Sequence, residues 1–559
     1  MPQPRVAVAA AVVALVVASS CLEDRESPSG NSGGGSRVTQ QRSVRPDYPS
    51  NDPVERGCGL PAEQLARIWR GYYRPTSEDV LLVPRKPAFF GSVTVVNHSG
   101  PWDFLQTVPL VFFGPRTIAA AGIVDDPVTL ADVYPTIGEL TGVELDPRDG
   151  RALSEVAEPN TGVRPKLVVT IVWDGVGRNV LDYWSQKWPT LSRLERKGTS
   201  YRKATVASSP SITPATHATL GTGTWPRHHH VTGIYMRGSE GLDLAFDGTD
   251  PTHLPISTFA DQIDVALDNR PKVGLLGWSN WHLPMMGHGL AQRGGDLDDV
   301  GILLLGGNAT GNASYFSLPG YLDGFPGLLR QADRLDRADG KADGEWMGRD
   351  ILAKTDNPAW VSYQTDMLLA MLAREDYGSD KVADFMFVNY KMSDYVGHQH
   401  QFESREMAAV LRAQDKALGR LVDWLGRRVR DYVVVVTADH GHTPNPRRSG
   451  GWPIGQKELK YDIDDYFDVS DGSSLVERIT AVGIFLDRAT LGQTDVTASE
   501  VATFVNGYTI GQNDTASKSE AAFKGRAGEQ LFAAAWPGRQ MSAVMRCKFG
   551  SARPTGDAE

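Results

Sequence analysis

The chain reads as an α/β protein: a central, mostly parallel sheet with helices on both faces. Three observations predict this. Lys166–Trp173 (KLVVTIVW), Asp384–Asn389 (DFMFVN) and Tyr432–Thr437 (YVVVVT) are apolar throughout rather than alternating, as strands buried on both faces are. Between the last two, Met407, Val410, Leu411, Leu418, Leu421, Val422 and Leu425 recur at helical spacing within Glu403–Arg430, so the order there is strand, helix, strand. Each of the three strands is followed by an acidic residue, Asp174, Asp394 or Asp439, at the carboxyl end where such sheets bind ligands.

From the front, Arg5, an apolar run from Val6 to Ala18, and then Ser19, Ser20 and Cys21 predict an export signal. The run is shorter than the roughly 20 residues that span a bilayer. Val17-Ala18-Ser19-Ser20-Cys21 loosely resembles a bacterial lipoprotein box, with Ala18 where Leu is usual. That resemblance implies that Cys21 is lipidated; a plain signal peptide is the alternative. The expected location is outside the cytoplasm, as a cell-surface lipoprotein or extracellular protein touching the membrane only through a lipid anchor. The Ser/Gly-rich stretch that follows is a flexible tether, so the division is signal 1–21, tether 22–54 and one folded domain 55–559.

That domain has an ordinary composition, 41% hydrophobic and 22% charged, which supports a large core. With 57 Lys and Arg against 67 Asp and Glu, the net charge is −10. Binding to a nucleic-acid polymer or a generic anionic surface is therefore not expected, and an anionic substrate must be drawn by local charge. Cys58 and Cys547, near the two ends of the domain, are a disulfide candidate in an oxidising compartment, with two buried free thiols as the alternative. Ser92–Val96 is a further apolar run ending at Asn97-His98-Ser99-Gly100. Residues 300–350, rich in Gly and Asp, predict an excursion over the sheet; 445–559 predict a strand at Thr480–Leu486 among short helices and loops.

Four clusters carry chemistry: Asp174; Thr213 within Ser211-Ile212-Thr213-Pro214-Ala215-Thr216-His217; Asp394 with His398; and Asp439 with His440. Singly each is weak, since a strand-terminal Asp is usually a helix cap. Together, carboxylates and imidazoles on one sheet edge are the ligands zinc takes in reactive sites. Two such ions about 4 Å apart can hold the attacking and leaving oxygens of an in-line displacement at phosphorus. A threonine hydroxyl becomes a competent nucleophile when a metal lowers its pKa.

Val172-Trp173-Asp174-Gly175, Thr213-Pro214-Ala215-Thr216-His217 with Gly221-Thr222-Gly223, Asp394-Tyr395-Val396-Gly397-His398 and Thr437-Ala438-Asp439-His440-Gly441 resemble the alkaline phosphatase superfamily, particularly its phosphodiesterase/nucleotide pyrophosphatase and single-subunit phosphatase branches. The resemblance implies an alkaline phosphatase-like fold and a phosphate ester substrate. It makes Thr213 the nucleophile, passing through a phospho-threonine, and two Zn2+ (or Mn2+) the cofactors. Asp174, Asp439 and His440 would hold the ion that binds Thr213; Asp394 and His398 would hold the other.

The family completes the second site with a histidine C-terminal to the Asp-His-Gly motif, whereas the last histidine here is His442. Asn97-His98-Ser99-Gly100-Pro101-Trp102-Asp103 and the segments after it resemble the family's C-terminal portion, here placed at the front. This implies a circular permutation, with His98 as the missing ligand and His442 as the competitor. Within the domain, 55–160 would be the permuted segment, 161–490 the metal and nucleophile core, and 491–559 a C-terminal extension. The new ends would then be neighbours, which favours a Cys58–Cys547 bond.

Arg237 stands where the phosphodiesterase branch has a phosphate-binding asparagine, and is either a phosphate ligand or a surface residue. His282 either lines a substrate pocket or packs in the core. Of His228, His229 and His230 one should pack near the site; Lys391 is expected in a charged loop, with phosphate contact as the alternative. Competing functions are a sulfatase-like hydrolase of the same superfamily, disfavoured because no cysteine lies near Thr213, and a non-catalytic envelope protein binding phosphorylated glycans.

Overall fold

The computed structural model describes residues 50–157, 162–470, 472–513 and 523–551. The export signal and tether residues 22–49 lie outside them. Pro53 and Val54, read as the end of the tether, open a helix, Pro53–Cys58, its first turn capped by Asp52 Oδ1, which accepts from the Val54 and Glu55 amides at 2.9 Å.

Ten strands form the main sheet: β1 Leu110–Phe113, β2 Gly122–Thr129, β3 Leu167–Trp173, β4 Thr199–Thr205, β5 Val273–Gly277, β6 Asp298–Leu303, β7 Ala309–Thr310, β8 Phe316–Ser317, β9 Asp384–Tyr390 and β10 Tyr432–Thr437. Their order is β7-β6-β5-β9-β3-β10-β1-β4-β2, with β8 beside β6. The predicted apolar strands β3, β9 and β10 are adjacent, parallel and buried along their whole lengths. Four helices matter for the site: α1 Thr213–Thr222, α2 Phe259–Ala266, α3 Met392–His400 and α4 Arg405–Arg428. In α4 the predicted apolar stripe, Met407 to Leu425, is the buried face, and Ser404 caps the first turn.

Register decides where the site lies. Trp173 pairs with Tyr390, and Val172 with Thr437, so β3, β9 and β10 end together and Asp174, Lys391 and Ala438-Asp439 emerge at one edge. β1 runs antiparallel to β10, with Leu110 opposite Thr437. Its amino end therefore lies at the edge where the parallel strands have their carboxyl ends, and the residues leading into it, His98 among them, arrive there.

Three expectations need correction. Ser92–Val96 is irregular backbone, anchored by the Val96 amide on the His398 carbonyl (3.1 Å). The 300–350 region does not simply cover the sheet but extends it, through β6, β7 and β8. The end of the chain is more than short helices and loops: Val476–Ile479, Gly483–Leu486 and Phe532–Pro537 join Val80–Pro84 in a second, antiparallel sheet of four strands. One face of that sheet packs Leu81, Val83, Ala534 and Trp536 against Leu65, Ile68, Val544 and Met545. Pro53–Cys58 is joined to the last helix, Met541–Phe549, by a Cys58–Cys547 disulfide.

Candidate active site

Thr213 is the first residue of α1, followed by Pro214, whose missing N–H costs nothing in a first turn. The helix amino end favours negative charge on the Thr213 oxygen. Asp394 lies in the first turn of α3 and His398 one turn later on the same face. Asp174 follows β3, and Asp439 and His440 follow β10.

The seven residues read from the sequence converge. Asp394 Oδ1 is 3.4 Å from His98 Nε2 and 3.4 Å from His398 Nε2. His440 Nε2 is 3.6 Å from Asp174 Oδ1 and 3.4 Å from Asp439 Oδ2. The His98 and His440 rings stack with centroids 3.5 Å apart, which brings the two groups together. Asp439 Oδ1 accepts from the Gly175 amide at 3.0 Å, fixing the carboxylate and turning Oδ2 toward the imidazoles.

The histidine tautomers follow from their partners. His398 Nδ1 donates to the Val96 carbonyl (2.7 Å), His98 Nδ1 to the Ser211 carbonyl (3.4 Å) and His440 Nδ1 to the Gly441 carbonyl (3.1 Å). Each ring thereby turns an Nε2 lone pair toward the carboxylates, the orientation metal-binding imidazoles take from their outer partners. Buried Asp394 Oδ1, Asp439 Oδ2 and His440 Nε2 have no hydrogen-bond partner among the described residues. Such orphaned atoms are costly unless something pairs them. Mixed carboxylate and imidazole donors within 4.8 Å of one another, as in Asp174–Asp439–His440 and His98–Asp394–His440, fit divalent cations.

Two residues were under-read. Lys391, expected in a loop, is only 2% exposed. Its Nζ lies 3.0 Å from Asp174 Oδ1, 2.9 Å from Asp394 Oδ2 and 3.1 Å from Thr213 Oγ1, so it joins both carboxylate groups to the hydroxyl. The signal was its i, i+3 spacing to Asp394. His442, the competitor of His98, is present as well: its Nε2 is 3.7 Å from Asp394 Oδ1, and neither ring nitrogen has a hydrogen-bond partner among the described residues. Gly175, at φ +71°, and Gly397 make room for it, since a Cβ at either position would strike its ring. Asn389 Nδ2 steadies Asp174 Oδ2 from below at 2.9 Å.

Burial pushes Asp174 well above the usual carboxylate range, with the Asp439 charge adding to it, and burial carries Asp439 up to about 6. Burial acts the same way on Asp394, but His398 and Lys391 outweigh it and hold this carboxyl well below its ordinary value. For Lys391 burial works against the ammonium, and Asp174, Asp394 and Asp439 reverse it, so the group stays charged. His440 and His442 are depressed by burial and remain neutral, the form in which an imidazole can bind a metal.

Arg237 is not brought to this cluster. It is buried elsewhere, paired with Glu477 and with Asp79 at 2.8 Å and donating to the Leu486 carbonyl at 2.9 Å, so its two terminal nitrogens are spoken for by the second sheet. His282 is fully buried against His217, ring centroids 4.9 Å apart; a nitrogen of each ring lies within 4.8 Å of an Asp174 carboxylate oxygen, and neither His282 nitrogen has a hydrogen-bond partner among the described residues, so it borders the cluster from the core side. Of the three consecutive histidines, His229 is buried against α1, near Thr219 Oγ1 (3.2 Å), while His228 pairs with Asp149 and His230 stacks on Tyr73.

Residues 168–530, well over half of the chain, match the sequence profile of the type I phosphodiesterase / nucleotide pyrophosphatase family. The chain belongs to this family. Its similarity to alkaline phosphatase PhoV of Synechococcus elongatus is 22% identity over 374 residues, 55% of this chain and 64% of that protein, so the match spans less than two thirds of that relative. Alkaline phosphatase PafA of Elizabethkingia meningoseptica is 21% identical over 411 residues, 62% of this chain and 73% of PafA. The crystal structure of wild-type PafA aligns with 61% of this chain and 76% of its own at 19% identity, with a TM-score of 0.48.

Proposed function

We propose that this chain is an exported two-metal hydrolase of phosphate esters, with Thr213 as nucleophile and monoesters preferred. The observation that carries the reading is the meeting of Thr213 Oγ1, through Lys391, with two adjoining carboxylate and imidazole groups. Asp174, Asp439, His440 and the Thr213 oxygen would hold one cation; Asp394, His398, His98 and His442 would hold the other. Zinc suits this donor set, with manganese as the alternative. When bound, such a pair supplies Lewis-acid stabilisation of the attacking and leaving oxygens.

The chain's own groups do the rest. Lys391 donates to Thr213 Oγ1 and favours its ionised form, and the α1 amino end adds to that field. Thr213 Oγ1 forms a bond to phosphorus as the bond to the ester oxygen breaks, giving phospho-threonine and the free alcohol. Water then displaces the threonine oxygen and releases phosphate. The charged Lys391 beside the nucleophile suits the dianion of a monoester, and the relatives named as alkaline phosphatases agree.

The decisive test pairs Thr213→Ala with wild type. The variant should keep its metal, lose at least about a thousandfold in turnover, and show no phosphorylated peptide at position 213 after acid quenching. Undiminished turnover would remove the assignment. The kcat/KM ratio for p-nitrophenyl phosphate over bis-p-nitrophenyl phosphate should exceed one; the reverse would make the enzyme a phosphodiesterase.

Export with a lipid anchor at Cys21 is part of the same proposal. It is supported by the leader pattern and by the Cys58–Cys547 disulfide, a bond of oxidising compartments. Fatty-acid labelling that disappears in Cys21→Ser would bear it out. A circular permutation is proposed on three supports: the order of the motifs, the arrival of His98 through β1, and the joined ends.

A further inference from the structure

A second polar cluster lies away from this centre, where the end of α2 meets the loop that leads into β6. Asp264 is in the last turn of α2, Asp296 follows Gly294-Gly295 in the loop, and Asp298 opens β6. A carboxylate oxygen from each lies within 4.8 Å of the other two. Two oxygens sharing one Ca2+ are at most about 5 Å apart, twice the Ca–O distance.

The cluster is built rather than incidental. Asp264 is 3% exposed and Asp298 9%, and Asp264 Oδ1 is buried with no hydrogen-bond partner among the described residues. No Lys, Arg or His pairs with any of the three carboxylates among the described residues; the nearby Asp261 adds to their negative charge and spends its own partner, His288, at 2.8 Å. The carboxyl end of a helix repels an anion, so Asp264 sits where the backbone field also disfavours it. Burial pushes Asp264 up to about 7, with Asp296 and Asp261 adding to it, and burial with Asp264 raises Asp298 in the same sense. The loop is clamped to the helix end by Asn269, whose Nδ2 donates to the Gly294 carbonyl at 2.9 Å and whose Oδ1 is itself buried without a partner.

We propose that Asp264, Asp296 and Asp298 bind a divalent cation of the hard, oxygen-seeking class, Ca2+, which ties α2 to the start of β6. The donors are carboxylates alone, without nitrogen or sulfur, which separates this site chemically from the imidazole-rich centre and disfavours zinc. The bound ion cancels the mutual repulsion of the three groups and pairs the orphaned Asp264 oxygen. Its role is structural, and the inference does not depend on the proposed catalytic reading.

The test uses the zinc-loaded full chain in equilibrium dialysis against 45Ca2+ with Mg2+ in excess. Wild type should bind one equivalent and gain thermal stability on binding. Asp296→Asn, at an exposed position, should weaken binding at least about tenfold, and Asp264→Asn should abolish it, both with unchanged zinc content and turnover. His398→Ala should keep its calcium while losing zinc, which separates this site from the catalytic one. Absence of bound Ca2+ in wild type, or undiminished binding in Asp296→Asn, would overturn the proposal; the exposed variant decides even if Asp264→Asn does not fold.

Discussion

The Asp174, Asp439 and His440 group is made by neighbours. β3 and β10 are paired strands that end in register, and each supplies its members of the group in the first residues past its end. The Asp394 group is made by assembly: two residues from α3, His98 from a loop roughly three hundred residues away in sequence, and His442 folded back beneath two glycines. A sheet edge alone secures the first arrangement. The second also needs the antiparallel β1 and the anchoring of Val96 on His398, so its geometry depends on how the front of the chain docks.

Lys391 bridges the two groups and gives the sharpest way to break the comparison. Lys391→Met should keep metal but lose about a hundredfold or more in kcat, checked by steady-state kinetics with metal analysis; a normal kcat would leave the bridge without a role. Next, His98→Ala should lose about one metal equivalent while the Asp174 group stays loaded, and His442→Ala should do so less completely. If only His442→Ala loses metal, the front segment supplies no ligand.

The double change Cys58→Ser with Cys547→Ser should lower unfolding free energy by about 2–5 kcal/mol, read by denaturant titration, with turnover intact in the folded protein. Arg237→Gln should leave kcat/KM unchanged and cost roughly 1–3 kcal/mol of stability, since it strips Asp79 and Glu477 of their partner.

Near neutral pH the smallest effect comes from a buried histidine. Burial lowers His229 from 6.5 to about 3. Between these values the unfolded chain takes up a proton that the folded chain refuses, so this contribution is intact above pH 6.5 and is lost as pH falls toward 3. His229→Gln should flatten the acid limb of the stability curve by up to one proton.

Much of this is legible in the sequence alone. Short apolar runs that do not alternate and are rich in Val and Ile read as strands covered on both faces, which located β3, β9 and β10 and the edge where their acidic residues emerge. Of the second sheet only the strand at Gly483–Leu486 was legible, because Phe532–Pro537 is half Ala and the strands it joins are short and come from both ends of the chain. Arg237 was misread for a related reason: its partners Asp79 and Glu477 are more than 150 residues away on either side, and no local pattern announces them.

By itself the sequence determined the central strands, the amphipathic α4 and the ligand types at each strand end, because periodicity and residue chemistry are local properties. Only the tertiary structure decided which nitrogen of each histidine faces the carboxylates, that Lys391 is buried between them, and that His98 and His442 both reach Asp394. Those outcomes depend on strand register and on loops closing over hundreds of residues, and long-range packing settles them where local propensity is silent.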